Sequence, residues 1–238
     1  MKIALLGYGK MGMEIEKIAL SRNHEIVLKV NQENLNDLNQ ENLKKADVAI
    51  EFSTPSTALS NIKACFEANV PVVVGTTGWL NHLDECISIC NKDQGGLFYA
   101  SNFSVGVNVL FAINEKLAAL MKNYPAYKVE MEEIHHTQKL DAPSGTAITL
   151  AEGIIEKHDQ IQQWVNKKSD SPSDLGIISK RIENVPGTHT VSYNSEIDEI
   201  LIQHTAHNRK GFASGAVLAA EFMKGKTGYF GMKDLMGL

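Results

Sequence analysis

His135, His136 and Lys139 fall within one short stretch, IHHTQKLDAPSGTA, which ends in a Pro-Ser-Gly-Thr turn and runs into an amphipathic segment. Histidine exchanges a proton near neutrality, and Lys139 adds a fixed positive charge or a second proton. Ser144, Gly145 and Thr146 stand where a helix begins, with Ala147, Leu150, Ala151 and Ile154 as its buried stripe. The N–H groups that open a helix bind carboxylates or phosphates. Proton donors beside an anion cradle imply acid/base chemistry on an anionic ligand. If the strand entering the turn continues to His136, period-two alternation sends the two imidazoles to opposite faces and to different tasks. A metal is the competing use, because His135, His136, His189, His204 and His207 all offer imidazoles. No H-E-x-x-H and no spaced cysteine set accompanies them, so no metal is expected.

A second chemical feature opens the chain. GYGKMG, residues 7–12, matches G-x-G-x-x-G directly after a strand-like run and directly before a helical one, the context that dinucleotide binding requires. Gly7 permits the tight turn, Gly9 lets backbone approach a pyrophosphate, and Gly12 allows close helix packing, with Tyr8, Lys10 and Met11 completing the loop and first turn. Asn31 ends the second strand, where a carboxylate usually holds the adenine ribose. It can bond a ribose hydroxyl without repelling a 2′-phosphate, so NADH and NADPH both stay open. Gly75, Thr76 and Thr77 follow the fourth strand, and Ala100, Ser101, Asn102 and Phe103 the fifth. Strand carboxyl ends are where open parallel sheets bind ligands, so both turns are expected to reach the nicotinamide half.

These residues need a scaffold, and its period is legible. Strand-like runs at 2–6, 25–30, 48–52, 71–75 and 97–100 alternate with helical patterns, the order of a Rossmann-like, doubly wound parallel sheet. The run 31–47 reads as a compact connection or irregular helix. Beyond Ser101 the grammar changes to a helix at 107–121, a strand at 127–134, the motif helix, and strands near 177–182, 188–193 and 197–205. That order predicts a second, mixed-sheet α+β domain. The polar run 165–176 is expected to be an exposed loop, and 211–223 a small-residue helix returning to the first domain. The boundaries are 1–103, completed by about 211–238, for the dinucleotide domain and 104–210 for the substrate domain.

At 238 residues, with 43% hydrophobic and 21% charged, the chain can bury a substantial core. A net charge of -5 with both signs interspersed lacks the positive field of a nucleic-acid binder, so a small-molecule partner is expected. No run approaches the roughly 20 apolar residues of a membrane span. Cys65, Cys86 and Cys90 form no C-x-x-C pair and read as core residues of a protein in a reducing cytoplasm.

GYGKMG, GTTGW, ASNFSVGVNVL, EIHHTQKLDAPSGTA, VPGTHTVSY and HTAHNRKGFASGAVLAA together resemble the dihydrodipicolinate reductase family, in that family's order and over nearly the whole chain. The resemblance implies reduction by NADH or NADPH of a small cyclic dicarboxylate, the dihydrodipicolinate synthase product, towards diaminopimelate and lysine. By motif it implies His135 as general acid/base, Lys139 as proton donor and His136 as substrate ligand. Ser144, Gly145 and Thr146 would hold a ring carboxylate, with Arg209 as a further contact, in a homotetramer built by the second domain. The alternatives are another NAD(P)-dependent amino-acid or sugar dehydrogenase and a non-catalytic Rossmann redox sensor; the latter has little use for the proton-active turn.

Overall fold

The computed structural model describes residues 1–92, 95–208 and 210–238, which form two compact units, Met1–Ser104 with Lys210–Leu238, and Val105–Arg209. In the first strand Ile3, Ala4, Leu5 and Leu6 are all buried, so both faces of the sheet are covered. The first unit runs β1 (Lys2–Leu6), α1 (Lys10–Ser21), β2 (Glu25–Val30), α2 (Gln40–Leu43), β3 (Val48–Glu51), α3 (Pro55–Glu67), β4 (Val72–Val74), α4 (Leu83–Lys92) and β5 (Gly96–Tyr99). Alternate strand residues feed two cores. Ala4 and Leu6 join Ile62, Phe66 and Leu97 on one face, while Ile3 and Leu5 join Ile15, Val73 and Phe98 on the other. Each fully buried Leu or Ile contributes roughly 1.5–3 kcal/mol. Cys65, Cys86 and Cys90 lie in the first of these cores.

The second unit comprises α5 (Val105–Met121), β6 (Lys128–His135), α6 (Gly145–Lys157), β7 (Gln163–Val165), β8 (Asp174–Arg181), β9 (Gly187–Asn194) and β10 (Glu199–Ala206). Its sheet has the order β10-β9-β6-β8-β7, with β9 antiparallel to both β6 and β10, and β8 parallel to both β6 and β7. Met131, Glu133 and His135 alternate onto the buried side of β6. Leu110 and Ala118 of α5 and Leu150 and Ile154 of α6 pack in one core with Met131, Ile177, Val191 and Tyr193. The Asn114 side chain ties the two helices by donating to the Leu150 carbonyl at 2.9 Å.

The chain then returns to the first unit through α7 (Lys210–Met223), β11 (Gly228–Phe230) and α8 (Met232–Met236). β11 extends the parallel sheet beside β5, giving the order β11-β5-β4-β3-β1-β2. Neither this strand nor β7 is expected from sequence. The polar run 165–176 is less of a loop than its composition implies, because β8 starts at Asp174 and buries Leu175 and Gly176 between its neighbours. No helix among the described residues is long and apolar enough to cross a membrane.

Candidate active site

The turn between β6 and α6 gathers its groups through sheet register. Glu133 lies opposite His189 of β9, and His135 lies beside Arg181 of β8. His135 is the last strand residue and is buried, whereas His136 begins the turn and is half-buried. The Lys139 ammonium is held by both Asp141 oxygens, at 2.8 and 2.7 Å. Arg181 closes the turn from below, donating to the Lys139 carbonyl at 3.3 Å and the Asp141 carbonyl at 2.5 Å. Pro143 leads into Ser144, whose hydroxyl caps α6 by accepting the Ala147 N–H at 3.2 Å. A Cβ added at Gly145 would meet nothing within 4 Å, so backbone at the helix start is open to an incoming anion.

Beneath the turn sits Glu133, fully buried. One of its oxygens accepts the Ser144 N–H at 3.0 Å, and the same oxygen lies 3.5 Å from His135 Nδ1 and 3.8 Å from His189 Nε2. The other lies 3.4 Å from Arg181. Burial works to raise the Glu133 carboxyl, but hydrogen bonds from Ser144 and the His135 charge outweigh it, leaving it below its ordinary value. Burial pushes the His135 imidazole down, against the pull of Glu133. Burial also pushes His189 down to about 4, so at neutral pH it is an uncharged partner of the Ser144 hydroxyl, 3.1 Å away. Glu133, His135 and His189 bring ligand atoms within 4.8 Å of one another, close enough to share a cation. The cation present is the Arg181 guanidinium.

In the first unit, Gly7 and Tyr8 both donate to the Val30 carbonyl at 3.0 Å, pinning the glycine turn to the end of β2. Gly7 has φ +100°, and a Cβ at Gly12 would lie 2.4 Å from the Gly7 carbonyl oxygen, so both glycines are required by the backbone itself. Gly9 is different: a Cβ there would meet nothing, and α1 begins at the next residue. A cavity of about 430 Å³ opens beside it, walled by Gly7, Tyr8, Gly9, Val30, Asn31, Gln32, Glu33, Leu35, Phe52, Ser53, Thr54, Thr57 and Asn61. An open helix start beside such a cavity fits a dinucleotide pyrophosphate.

Lys10, Met11 and Gly12 form the first turn of α1 and lie outside that wall. Asn31 is in it, with its side-chain oxygen occupied by the Glu33 N–H at 2.8 Å. Gly75 makes room for the Phe52 ring, and Thr76 is buried, its hydroxyl accepting the Ser53 N–H at 2.8 Å. Thr77 and Ser101 are exposed, Asn102 accepts the Ser104 N–H, and Ala100 and Phe103 are core. These two turns therefore lie outside the cavity wall. Arg209 lies outside the described residues.

Sequence reasoning missed Glu133, Asp141 and Arg181, and it named His189 only as an imidazole for a metal, not as a partner of Glu133 and Ser144. The first was available, because a residue two before His135 on a strand shares its face. Arg181 and His189 needed the register.

A parallel sheet with a dinucleotide-type glycine turn, joined to a mixed-sheet unit that carries a carboxylate–imidazole cluster, defines the class of two-unit α/β dehydrogenases and reductases. Residues 1–103 match the family described as dihydrodipicolinate reductase, N-terminus, and residues 106–236 match its C-terminus. The chain is 53% identical over 236 residues to the 4-hydroxy-tetrahydrodipicolinate reductase of Christiangramia forsetii, covering 99% of this chain and 98% of that one. It is 36% identical to the enzyme of the same name from Neisseria meningitidis serogroup C, over 82% of this chain and 74% of that one. Among solved structures it is similar to dipicolinate-bound dihydrodipicolinate reductase from Paenisporosarcina sp. TG-14, with a TM-score of 0.79, 27% identity and 98% of each chain covered. The chain belongs to the dihydrodipicolinate reductase family.

Proposed function

We propose that the β6–turn–α6 unit performs the proton chemistry of the family's reaction and that the glycine turn of the first unit holds its nucleotide. The chain is an NAD(P)H-dependent 4-hydroxy-tetrahydrodipicolinate reductase of lysine and diaminopimelate biosynthesis. The observation that carries the residue-level reading is the Lys139 ammonium and the buried His135 in the same turn as the open N-terminus at Gly145.

When bound, NADH or NADPH supplies a hydride to C4 of the ring. Gly145 and Thr146 receive a ring carboxylate at the α6 N-terminus, with Ser144 fixing that terminus. Lys139 delivers the proton that balances the hydride, His135 serves as general acid/base as water leaves, and His136 contacts the substrate. Arg209, by its place in HNRKGF, contacts a second carboxylate. A cyclic dicarboxylate fits this arrangement of donors. At the nucleotide site Gly7, Tyr8, Gly9, Lys10, Met11 and Gly12 surround the pyrophosphate, and the 75–77 and 100–103 turns serve the nicotinamide end. Glu33 adds a carboxylate to the cavity wall, and neither Lys nor Arg lines it among the described residues, which favours NADH over a cofactor bearing a 2′-phosphate.

A homotetramer built by the second unit suits the apolar side chains exposed on α5, Val105, Val109, Ile113 and Leu120, and on β10, Ile200 and Leu201. Three free cysteines suit a reducing cytoplasm. The test is nucleotide oxidation followed at equal NADH and NADPH concentrations when the purified protein meets freshly made synthase product. Oxidation is expected with both and faster with NADH; no oxidation with either would refute the reading.

A further inference from the structure

Glu133 is a fully buried carboxylate for which the proposed reaction has no direct use. Four groups from four parts of the second unit converge on it: His135 from the end of β6, the Ser144 N–H from the helix cap, Arg181 from β8 and His189 from β9. A carboxylate kept only for stability would need pairing, which Arg181 and the Ser144 N–H already provide. Its remaining contacts, with the His135 and His189 imidazoles, are electrostatic. The oxygen that accepts the Ser144 N–H also faces His135 Nδ1, and that nitrogen has no hydrogen-bond partner. On the other side of the ring, a Cβ at Gly187 would lie 3.1 Å from His135 Nε2, so the imidazole is confined between a carboxylate and a bare backbone.

We propose that Glu133 is a positioning residue that acts through two neighbours at once, orienting and charging His135 through Nδ1 while fixing the carboxylate-binding start of α6 through the Ser144 N–H. Arg181 is its counterweight. Drawn to the opposite oxygen, the guanidinium limits how strongly Glu133 stabilises imidazolium, so the pair sets the pH at which His135 changes charge. The groups facing His135 are Glu133 on its own strand, His136 and Lys139 from the turn, Arg181 from β8 and His189 from β9, whose ring stands edge-on at 5.0 Å. Of these only Glu133 is anionic, and its charge raises the His135 pKa where Lys139, Arg181 and His136 lower it. The inference rests on the acid/base reading of His135.

Two charge variants test it with opposite signs. Glu133→Gln keeps an oxygen for the Ser144 N–H but removes the charge. It is expected to lower kcat by about 10- to 100-fold with NADH affinity unchanged. The His135 titration, followed by NMR of its ring protons and assigned with His135→Asn, should shift down. Arg181→Gln should shift the same titration up, a result that general destabilisation would not give. Should Glu133→Gln fail to fold, the direction seen in Arg181→Gln decides alone. A His135 titration that stays put in the folded variants, or moves the same way in both, would overturn the proposal. Wild-type turnover in His135→Asn would overturn the acid/base reading itself. Loss of turnover there, with both charge variants behaving as wild type, would overturn only the role of Glu133.

Discussion

Ser144 occupies the point where the site's two tasks meet. Its hydroxyl caps α6 and touches His189, while its N–H is bound by Glu133, so one small residue joins the anion cradle to the imidazole cluster. Ser144→Ala is expected to cost about 1 kcal/mol in denaturant unfolding, the usual loss for a helix cap, and to raise KM for the dicarboxylate more than it lowers kcat. An unchanged KM would separate the cap from substrate binding. At this scale the sequence is informative about what carries protons and poor at what holds them. His135, His136 and Lys139 stand out because reactive types crowd together in one line of text. Arg181 and His189 are 42 and 50 residues beyond Lys139 and reach the cluster only because β8 and β9 flank β6. Glu133 was hidden differently: it sits in a run of charged residues, and only strand parity distinguishes its buried side from the exposed one of Glu130.

The elements were legible in proportion to their length and period. α1, α3, α5 and α6 carry apolar stripes over several turns, and the first five strands are bounded by turns, so they follow from pattern alone. β7 and β11 have three residues each and, unlike the all-valine β4 of the same length, lack a β-branched run, so they exist because a neighbour offers an open edge. A further device lies at the end of β3. Glu51 is fully buried, and one of its oxygens accepts from the Ser53 N–H and the Asn61 side chain at 3.1 and 3.2 Å, while the other has no partner. Burial raises its pKa despite those hydrogen bonds. A carboxyl whose folded pKa exceeds its unfolded value binds more protons when folded, so its penalty grows as pH rises from the unfolded towards the folded pKa. Glu51→Gln should therefore unfold much like the wild type at about pH 4 and be the more stable protein at about pH 8. A stability difference independent of pH would contradict a protonation-linked cost.

At the scale of the whole molecule, the chain has two units that each have their own sheet and core, and the proposed function divides its chemistry between them. The first offers an open helix start beside a cavity; the second offers a proton-active turn and a separate open helix start. Perturbing one unit should leave the binding function of the other intact. Lys139 is the sharpest place to ask, since its ammonium is outside the core, is held by Asp141 alone among the ion pairs of the described residues, and does not line the cavity beside the glycine turn. The decisive measurement is kcat for Lys139→Ala together with NADH affinity by fluorescence titration. A fall in kcat of about 10²–10⁴-fold with NADH affinity unchanged is predicted. Near-wild-type turnover, or turnover lost in step with NADH binding, would contradict the account.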